Sequence, residues 1–519
     1  MGTAHTFEEA LHGFHTATAV QRGDEIRKVA ATLWSDGEAL PGAAAAATVL
    51  IQALAAAPDD QRPGIVLLLG LLADAEGPHA EAAHTAVQAG LDSYLTLLTP
   101  GADSALTQAL LFLLSHFGEA RKAVLAVADE VGVDPADLSR LDRTLQPPDL
   151  DHPVIGRVWP SPALWALDDA ERAGDRQWTG MMTPEQITAM WLGDTRTLRS
   201  YSGARAVAAV DGAAAPGSTG SLGSVGSPAD AANAAVAAAE SPSTTATATA
   251  PDRGTLGGHA AAFACPVCHG ALTETASGAH CAACPVDYPV VGGLLDLSAG
   301  AGEGMDTIVL KDPVHVPRYE FVLRPAFLEI MGGNWSGEVS TSDEDAYLTD
   351  QLRPTEGPVL DLAAGSGRWT GHIAHLVGSD RVLALDLSGP MLQSLRQDHP
   401  DVLAVRGSAL TLPFDDAALG AVNCWNALQA LPDAETVIAE VGRCLKPGGT
   451  FTLLTFTPAT DPLTRHFQRR HEAPLRVSLF HLDELRAWLA KAGLAVQDVR
   501  TPGSFLFITA VREESPATA

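Results

Sequence analysis

The sequence predicts a multidomain protein: an all-α repeat region, then a small unit folded around four cysteines, then a doubly wound α/β domain. Three observations carry this. A run of leucines recurs after a shift of 42 residues (100 − 58, from Pro100 and Pro58). Cys265, Cys268, Cys281 and Cys284 form two C-x-x-C pairs, and from Pro358 onward apolar strands alternate with helices around a glycine turn. At ~100–200 residues per domain, 519 residues make about three domains.

Composition narrows the partners. Lys+Arg total 33 against 62 Asp+Glu, a formal charge of −29, and the acidity is already present in residues 1–200 (13 against 27). Such a surface repels phosphate backbones and anionic membranes, so nucleic acid is a disfavoured partner. The longest apolar stretches, such as Ile65–Ala73 and Ala109–Ser115, fall far short of the ~20 residues that span a bilayer. The opening MGTAHTFEEALHGF has no basic segment followed by an apolar one, and the six cysteines suit a metal site in a reducing compartment. A cytoplasmic protein without a membrane span is expected.

Residues 7–145 read as short helices separated at Pro41-Gly42, Pro58-Asp59-Asp60, Gly77-Pro78 and Pro100-Gly101. The repeat lays Leu67-Leu68-Leu69-Gly70-Leu71-Leu72 on Ala109-Leu110-Leu111-Phe112-Leu113-Leu114. A period near 40 with two helices per unit is that of HEAT-type solenoids, whose helix pairs cover one another's apolar faces. The stretch LWSDGEALPGAAAAATVLIQALAAAPDDQRPGIVLLLGLLAD also resembles bacterial HEAT-like repeat proteins. Residues 1–205 are expected to be such a domain, with a plain helical bundle as the alternative. Trp159, Trp165, Trp178 and Trp191 are expected to fill a helical cap, the other reading being a ligand groove. Residues 206–260 collapse to Ala, Gly, Ser, Thr and Pro, a flexible linker that cannot bury enough apolar area to offset its ordering entropy; Ala229–Glu240 could form a transient helix.

Residues 261–300 contain the cysteine cluster. Two C-x-x-C turns can aim four thiolates at one point, a closed tetrahedral site for a structural Zn²⁺. His269 and His280 adjoin ligand cysteines and are the alternative donors; a redox pair would need a βαβ context. The continuation DYPVVGGLLDL resembles the zinc ribbon of the activator subunit of tRNA and translation-factor methyltransferases, and similar ribbons precede a bacterial rRNA guanine methyltransferase. Between Phe263 and Leu297 there is no Lys or Arg, so packing on a neighbouring domain is expected over RNA reading.

In residues 301–519, PVLDLAAGSGR joins an apolar strand to a helix through Gly365 and Gly367, a turn that lets backbone approach a ligand. A second strand ends in Asp386, 25 residues after Asp361, where a carboxylate can accept from two ribose hydroxyls. A dehydrogenase would need a glycine where Thr370 stands. The set VLDLAAGSG, LALDLS, GSALTLPF and LKPGGTF, closing with LAKAGLAVQDVRTPGSFLFITAVR, resembles the class I S-adenosylmethionine-dependent methyltransferases, with their Rossmann-like fold, and most of all their ubiquinone/menaquinone branch. The resemblance implies S-adenosyl-L-methionine as cofactor, with Asp361, Ala363, Gly365 and Gly367 around its methionine and ribose, Asp386 on the ribose, and Leu387, Ser408 and Ala409 at the adenine. Ser408 stands where the family usually has an acid, which puts tight adenine selectivity in doubt; Ala363-Ala364 stand where Gly-Cys is common, and neither change is expected to abolish binding, which depends on Gly365 and Gly367.

Methyl transfer is an in-line displacement governed by alignment, so a dedicated base is optional. Asn426 and Gln429 are expected to face the methyl. His466, His471 and His481 lie in a later insertion that roofs the acceptor pocket in related enzymes, with His471 and His481 the candidate bases. Arg465, Arg469, Arg470 and Arg476 either attract an anionic substrate or pair with local acids. A docking surface joined to a methyltransferase favours a peptide or protein amine as acceptor, as in maturation of a ribosomally synthesised peptide. A small quinone-like or secondary-metabolite acceptor, and a scaffold without turnover, are the alternatives, with rRNA or tRNA last. Oligomeric state is not encoded in any feature of the chain.

Overall fold

The computed structural model describes residues 6–148, 150, 176, 179–212, 255–298, 316, 319, 324, 327–328, 334, 337–475 and 477–514. Trp159, Trp165, Trp178, Arg476 and residues 213–254 of the expected linker lie outside the described residues. The chain divides into two compact units. One draws on Met1–Ala229, Ala326–Glu338 and Ala459–Leu475, the other on Asp230–Pro325, Val339–Pro458 and Arg476–Ala519.

The first unit is helical: α1 (Phe7–Thr16), α2 (Arg22–Leu33), α3 (Ala43–Ala56), α4 (Arg62–Ala73), α5 (Ala80–Gln88), α6 (Leu91–Leu97), α7 (Ser104–Leu114), α8 (Arg121–Glu130), α9 (Pro135–Leu145) and α10 (Pro184–Val210). A two-residue hairpin, β1 (Trp34–Ser35) with β2 (Glu38–Ala39), turns between α2 and α3. The helices that the repeat aligns, α4 and α7, are the most buried: Pro63–Ala73 and Gln108–Leu114 are inaccessible throughout. Gly70 and Phe112 occupy the same repeat position, and a Cβ on Gly70 would lie 2.6 Å from the Phe112 ring. The repeat is therefore broken where its two copies meet, glycine making room for the ring. Helix α10 opens on a Thr183–Gln186 capping box and runs five residues past the expected boundary at 205. Trp191 is core, with Arg143 stacked 3.4 Å from its ring centre.

The second unit is built on one sheet. Its strands are β3 (Leu272–Thr275), β4 (Gly278–Cys281), β5 (Val286–Val291), β6 (Leu294–Asp296), β7 (Val359–Leu362), β8 (Val382–Asp386), β9 (Leu403–Arg406), β10 (Leu419–Trp425), β11 (Leu445–Phe456), β12 (Leu494–Arg500) and β13 (Phe505–Arg512). Its helices are α11 (Thr341–Gln351), α12 (Arg368–Val377), α13 (Gly389–Asp398), α14 (Ala434–Cys444) and α16 (Leu482–Lys491). The order β12-β13-β11-β10-β7-β8-β9-β6-β5-β4-β3 has β7 to β11 parallel and β13 antiparallel between β11 and β12. This is a Rossmann-like methyltransferase fold in a mixed sheet. The cysteine unit continues that sheet: β6 pairs in parallel with β9 through Leu295↔Val405 and Asp296↔Arg406. Phe263, Tyr288 and Leu295 share a core with Leu360, Val405 and Phe414.

The helix α15 (Pro462–Leu475) follows β11 in the chain but is part of the helical unit. Leu463 and Phe467 join that unit's core, with Phe467 edge-on to Phe112 at 5.5 Å. Among the described residues no helix is long and apolar enough to cross a membrane.

Candidate cofactor and metal sites

Strand β7 ends at Leu362 and α12 begins at Arg368; the bend between them turns on positive φ at Ala363 (56°), Gly365 (56°) and Gly367 (102°). Gly367 has no room for a side chain, since a Cβ would lie 2.7 Å from Leu395. Gly365 is the reverse: nothing stands within 4 Å of where its Cβ would be, so its backbone is open to a ligand. The bend is anchored from below. Asp361, 2% exposed, accepts from the Thr370 hydroxyl at 2.6 Å and the Asn423 amide at 2.9 Å, and the Asn423 oxygen accepts from the Thr452 hydroxyl at 2.9 Å. Three neighbouring strands and α12 are tied by this buried chain. The sequence marks Thr370 only as the residue that excludes a dehydrogenase glycine turn, and Asn423 and Thr452 only as polar residues inside otherwise apolar strands.

Asp386, at the end of β8, accepts from the backbone N–H of Gly365 at 2.9 Å and of Ser388 at 2.8 Å. Burial pushes its carboxyl above the ordinary range, opposed by backbone donors of Ser388, Gly365 and Leu387. Leu387 beside it is half-buried. Ser408 and Ala409 are buried in the loop after β9, where the Ser408 hydroxyl accepts from the Leu410 N–H at 3.1 Å. Asn426 follows β10 with φ 55°, and its side-chain oxygen accepts from the Gln429 amide at 3.2 Å; Gln429 in turn accepts from Thr455. The bend, the Asp386 carboxylate and Asn426 therefore cluster at the carboxyl ends of β7, β8 and β10, where open α/β sheets bind ligands. An open glycine backbone and an under-compensated carboxylate fit the aminoacyl and ribose parts of S-adenosylmethionine.

His471 is in α15, 1% exposed in the helical unit, and burial pushes its ring down to about 3, leaving it neutral. His466, also in α15, sits against Asp74. His481 is exposed at the start of α16. Each described cation of the expected basic cluster is paired: Arg465 with Glu472, Arg469 with Asp36, and Arg470 with Asp74 at 2.7 Å.

Cys265, Cys268, Cys281 and Cys284 place their four sulfurs within 4.8 Å of one another. A tetrahedral Zn²⁺ with bonds of about 2.3 Å needs sulfurs about 3.8 Å apart, so the donor set fits with little adjustment. His280 is held by Asp287 at 2.7 Å and His269 is exposed, so both stand outside the sulfur cluster. Arg406 joins the cysteine unit to the loop after β8: it pairs with Asp296 at 2.9 Å and donates to the Leu387 carbonyl at 3.0 Å.

Comparison with known proteins agrees with this geometry. Residues 359–449 match the family model of a methyltransferase domain. A chloroplastic protein of Arabidopsis thaliana named as an uncharacterized methyltransferase is 27% identical over 281 residues, 48% of this chain and 77% of its own length. The demethylmenaquinone methyltransferase of Lactococcus lactis is 33% identical over 111 residues, 20% of this chain and 44% of that protein. The 2-phytyl-1,4-naphtoquinone methyltransferase of Synechococcus elongatus is 37% identical over 119 residues, 21% and 51% of the two chains. This chain spans about half the length of the last two. The class of protein is thus set by fold, site and likeness together. The chain carries an S-adenosylmethionine-dependent methyltransferase domain.

Proposed function

We propose that the chain transfers a methyl group from S-adenosylmethionine to a small conjugated acceptor of the quinol or secondary-metabolite kind. The observation that supports this most is the buried aromatic cluster beside the glycine bend. Trp369, two residues after Gly367, and Trp425, next to Asn426, lie with ring centres 6.3 Å apart, and Tyr347 and Phe507 pack on Trp425 at 5.8 and 5.7 Å. Rings clustered beside the bend suit a flat aromatic acceptor. Two of the relatives are named for quinone-type substrates, which favours this reading over the peptide amine expected from the sequence.

Bound cofactor supplies a methyl on a positively charged sulfur, already activated for displacement. The chain's residues then have to orient and exclude water. Asp386 accepts from the ribose hydroxyls, Gly365 and Gly367 admit the aminoacyl portion, Asp361 holds the bend's shape, and Leu387, Ser408 and Ala409 border the adenine. Asn426, braced by Gln429, lines the methyl. The four cysteines hold a structural Zn²⁺ in a ribbon that extends the sheet, and residues 1–205 are read as a HEAT-like module for assembly.

Incubation with tritiated S-adenosylmethionine and parallel panels of naphthoquinols, phenols and amine peptides tests the reading. Label extractable with the small acceptors is expected. Label confined to peptides restores the amine reading, and no binding of S-adenosylhomocysteine would end both.

A further inference from the structure

The aromatic wall carries an unusual set of unmet hydrogen bonds. Arg324 is 1% exposed and its partner Glu344 fully buried; one guanidinium nitrogen donates to one Glu344 oxygen. Among the described residues the Nε and Nη1 of Arg324 have no partner, nor has the second oxygen of Glu344. The guanidinium lies 4.5 Å from the Trp369 ring centre, and the indole N–H groups of Trp369 and Trp425 are also buried without partners. A buried donor left unmade is costly, and native proteins carry few of them. Four such nitrogens and one such oxygen lie together on one chain of ring contacts flanking Gly367 and Asn426.

The pattern also defines what would complete it. Nitrogen donors ask for an oxygen with free lone pairs. The Glu344 oxygen asks for one hydrogen. Aromatic side chains ask for a flat ring carrying both. Arg324 and Glu344 neutralise each other, so the ligand need not be charged. These are the properties of a phenolic or quinolic hydroxyl.

We infer that Arg324, Glu344, Trp369 and Trp425 form an acceptor subsite that holds a ring hydroxyl, its oxygen taking hydrogen bonds from the guanidinium and the Trp369 indole, its two lone pairs so filled, and its hydrogen facing Glu344. The inference rests on the proposed small-acceptor reading and deepens it by naming the group recognised. Sequence reading had no access to it, because Arg324 is 45 residues from Trp369 and 101 from Trp425.

The test compares 1-naphthol with 1-methylnaphthalene by equilibrium dialysis against the full chain saturated with S-adenosylhomocysteine. The two probes share the ring and differ in the hydroxyl, so the ratio of their affinities reads the subsite and cancels general damage to the wall. The full chain is expected to prefer naphthol by about tenfold or more, several hydrogen bonds being involved. Arg324→Lys keeps the charge opposite Glu344 but loses the free fork, and the preference should collapse to about twofold or less. Trp369→Phe keeps a ring and loses one N–H, and should lower the preference about three- to tenfold. If Arg324→Lys fails to fold, Trp369→Phe still decides. Equal binding of the two probes to the full chain, or a preference that survives both substitutions, overturns the subsite. That outcome is distinct from failure of the function itself, in which S-adenosylhomocysteine does not bind or no small acceptor takes up label.

Discussion

The two units treat a buried carboxylate in opposite ways. In the helical unit, burial works against the charge of Asp74, but His116 at 3.2 Å, His466 and Arg470 outweigh it and hold the carboxyl well below the ordinary range. Asp137 is the same case, burial being overcome by Arg140 and Arg205. In the α/β unit, Asp386 meets burial with backbone N–H groups, and burial prevails. A carboxylate that serves the fold is compensated inside the fold. Asp386 is held by backbone donors alone, the arrangement expected of the proposed ribose acceptor.

That contrast can be broken from the structural side first, where the largest effect is expected. Asp74→Asn leaves the buried Arg470 only its 3.8 Å contact with the half-exposed Glu76, and should destabilise the helical unit by about 3 kcal/mol in urea unfolding. Because the carboxyl is depressed in the folded state, its stabilisation is complete above the ordinary carboxylate value of about 3.9 and drains as pH falls below it. Asp386→Asn comes next. It should weaken S-adenosylhomocysteine by about a hundredfold in calorimetry, from two hydrogen bonds to a charged acceptor at roughly 1.5 kcal/mol each, and also turn an amide against the N–H of Gly365 or Ser388. Unchanged affinity would remove Asp386 from the site. A smaller loss, about 1–3 kcal/mol of stability by thermal unfolding, is expected for Thr370→Val, which strips a buried donor from Asp361.

Local patterns in the sequence carried some of these features and not others. The strand–bend–helix around Gly365 and the Asp386 strand end are read within a few residues, since glycine and a strand-end acid each have a local conformational reason to be there. The Cys265–Cys284 spacing likewise encloses its own cluster. What could not be read depends on register between distant segments: Asn423 meets Asp361 because β10 pairs with β7, and the three-residue β6 joins β9 by a pairing that its length gives no hint of. The same holds for α15. Its Arg470 and Phe467 look like part of the α/β domain along the chain, yet their partners Asp74 and Phe112 are more than 350 residues away in the helical unit. The unit that buries α15 is fixed by apolar matching, which periodicity alone does not assign.

The finest test concerns pH, because it separates the two kinds of carboxylate without a mutation. Ionised Asp386 is the form that accepts from hydroxyls, and its folded carboxyl sits above the ordinary value, so affinity for S-adenosylhomocysteine should be flat at alkaline pH and begin to fall at a higher pH than an ordinary aspartate would dictate. The fall cannot exceed about tenfold per pH unit for one group. Hydroxyl donors from the cofactor stabilise the ionised form, so binding lowers the carboxyl's pKa and releases protons within that window. Calorimetry in two buffers of different ionisation enthalpy measures that release directly. Asp74 and Asp137, already compensated, stay ionised throughout and contribute nothing to it. An affinity that stays level down to about pH 4, with no proton released, means that Asp386 is as well compensated as the structural acids and the contrast between the units dissolves.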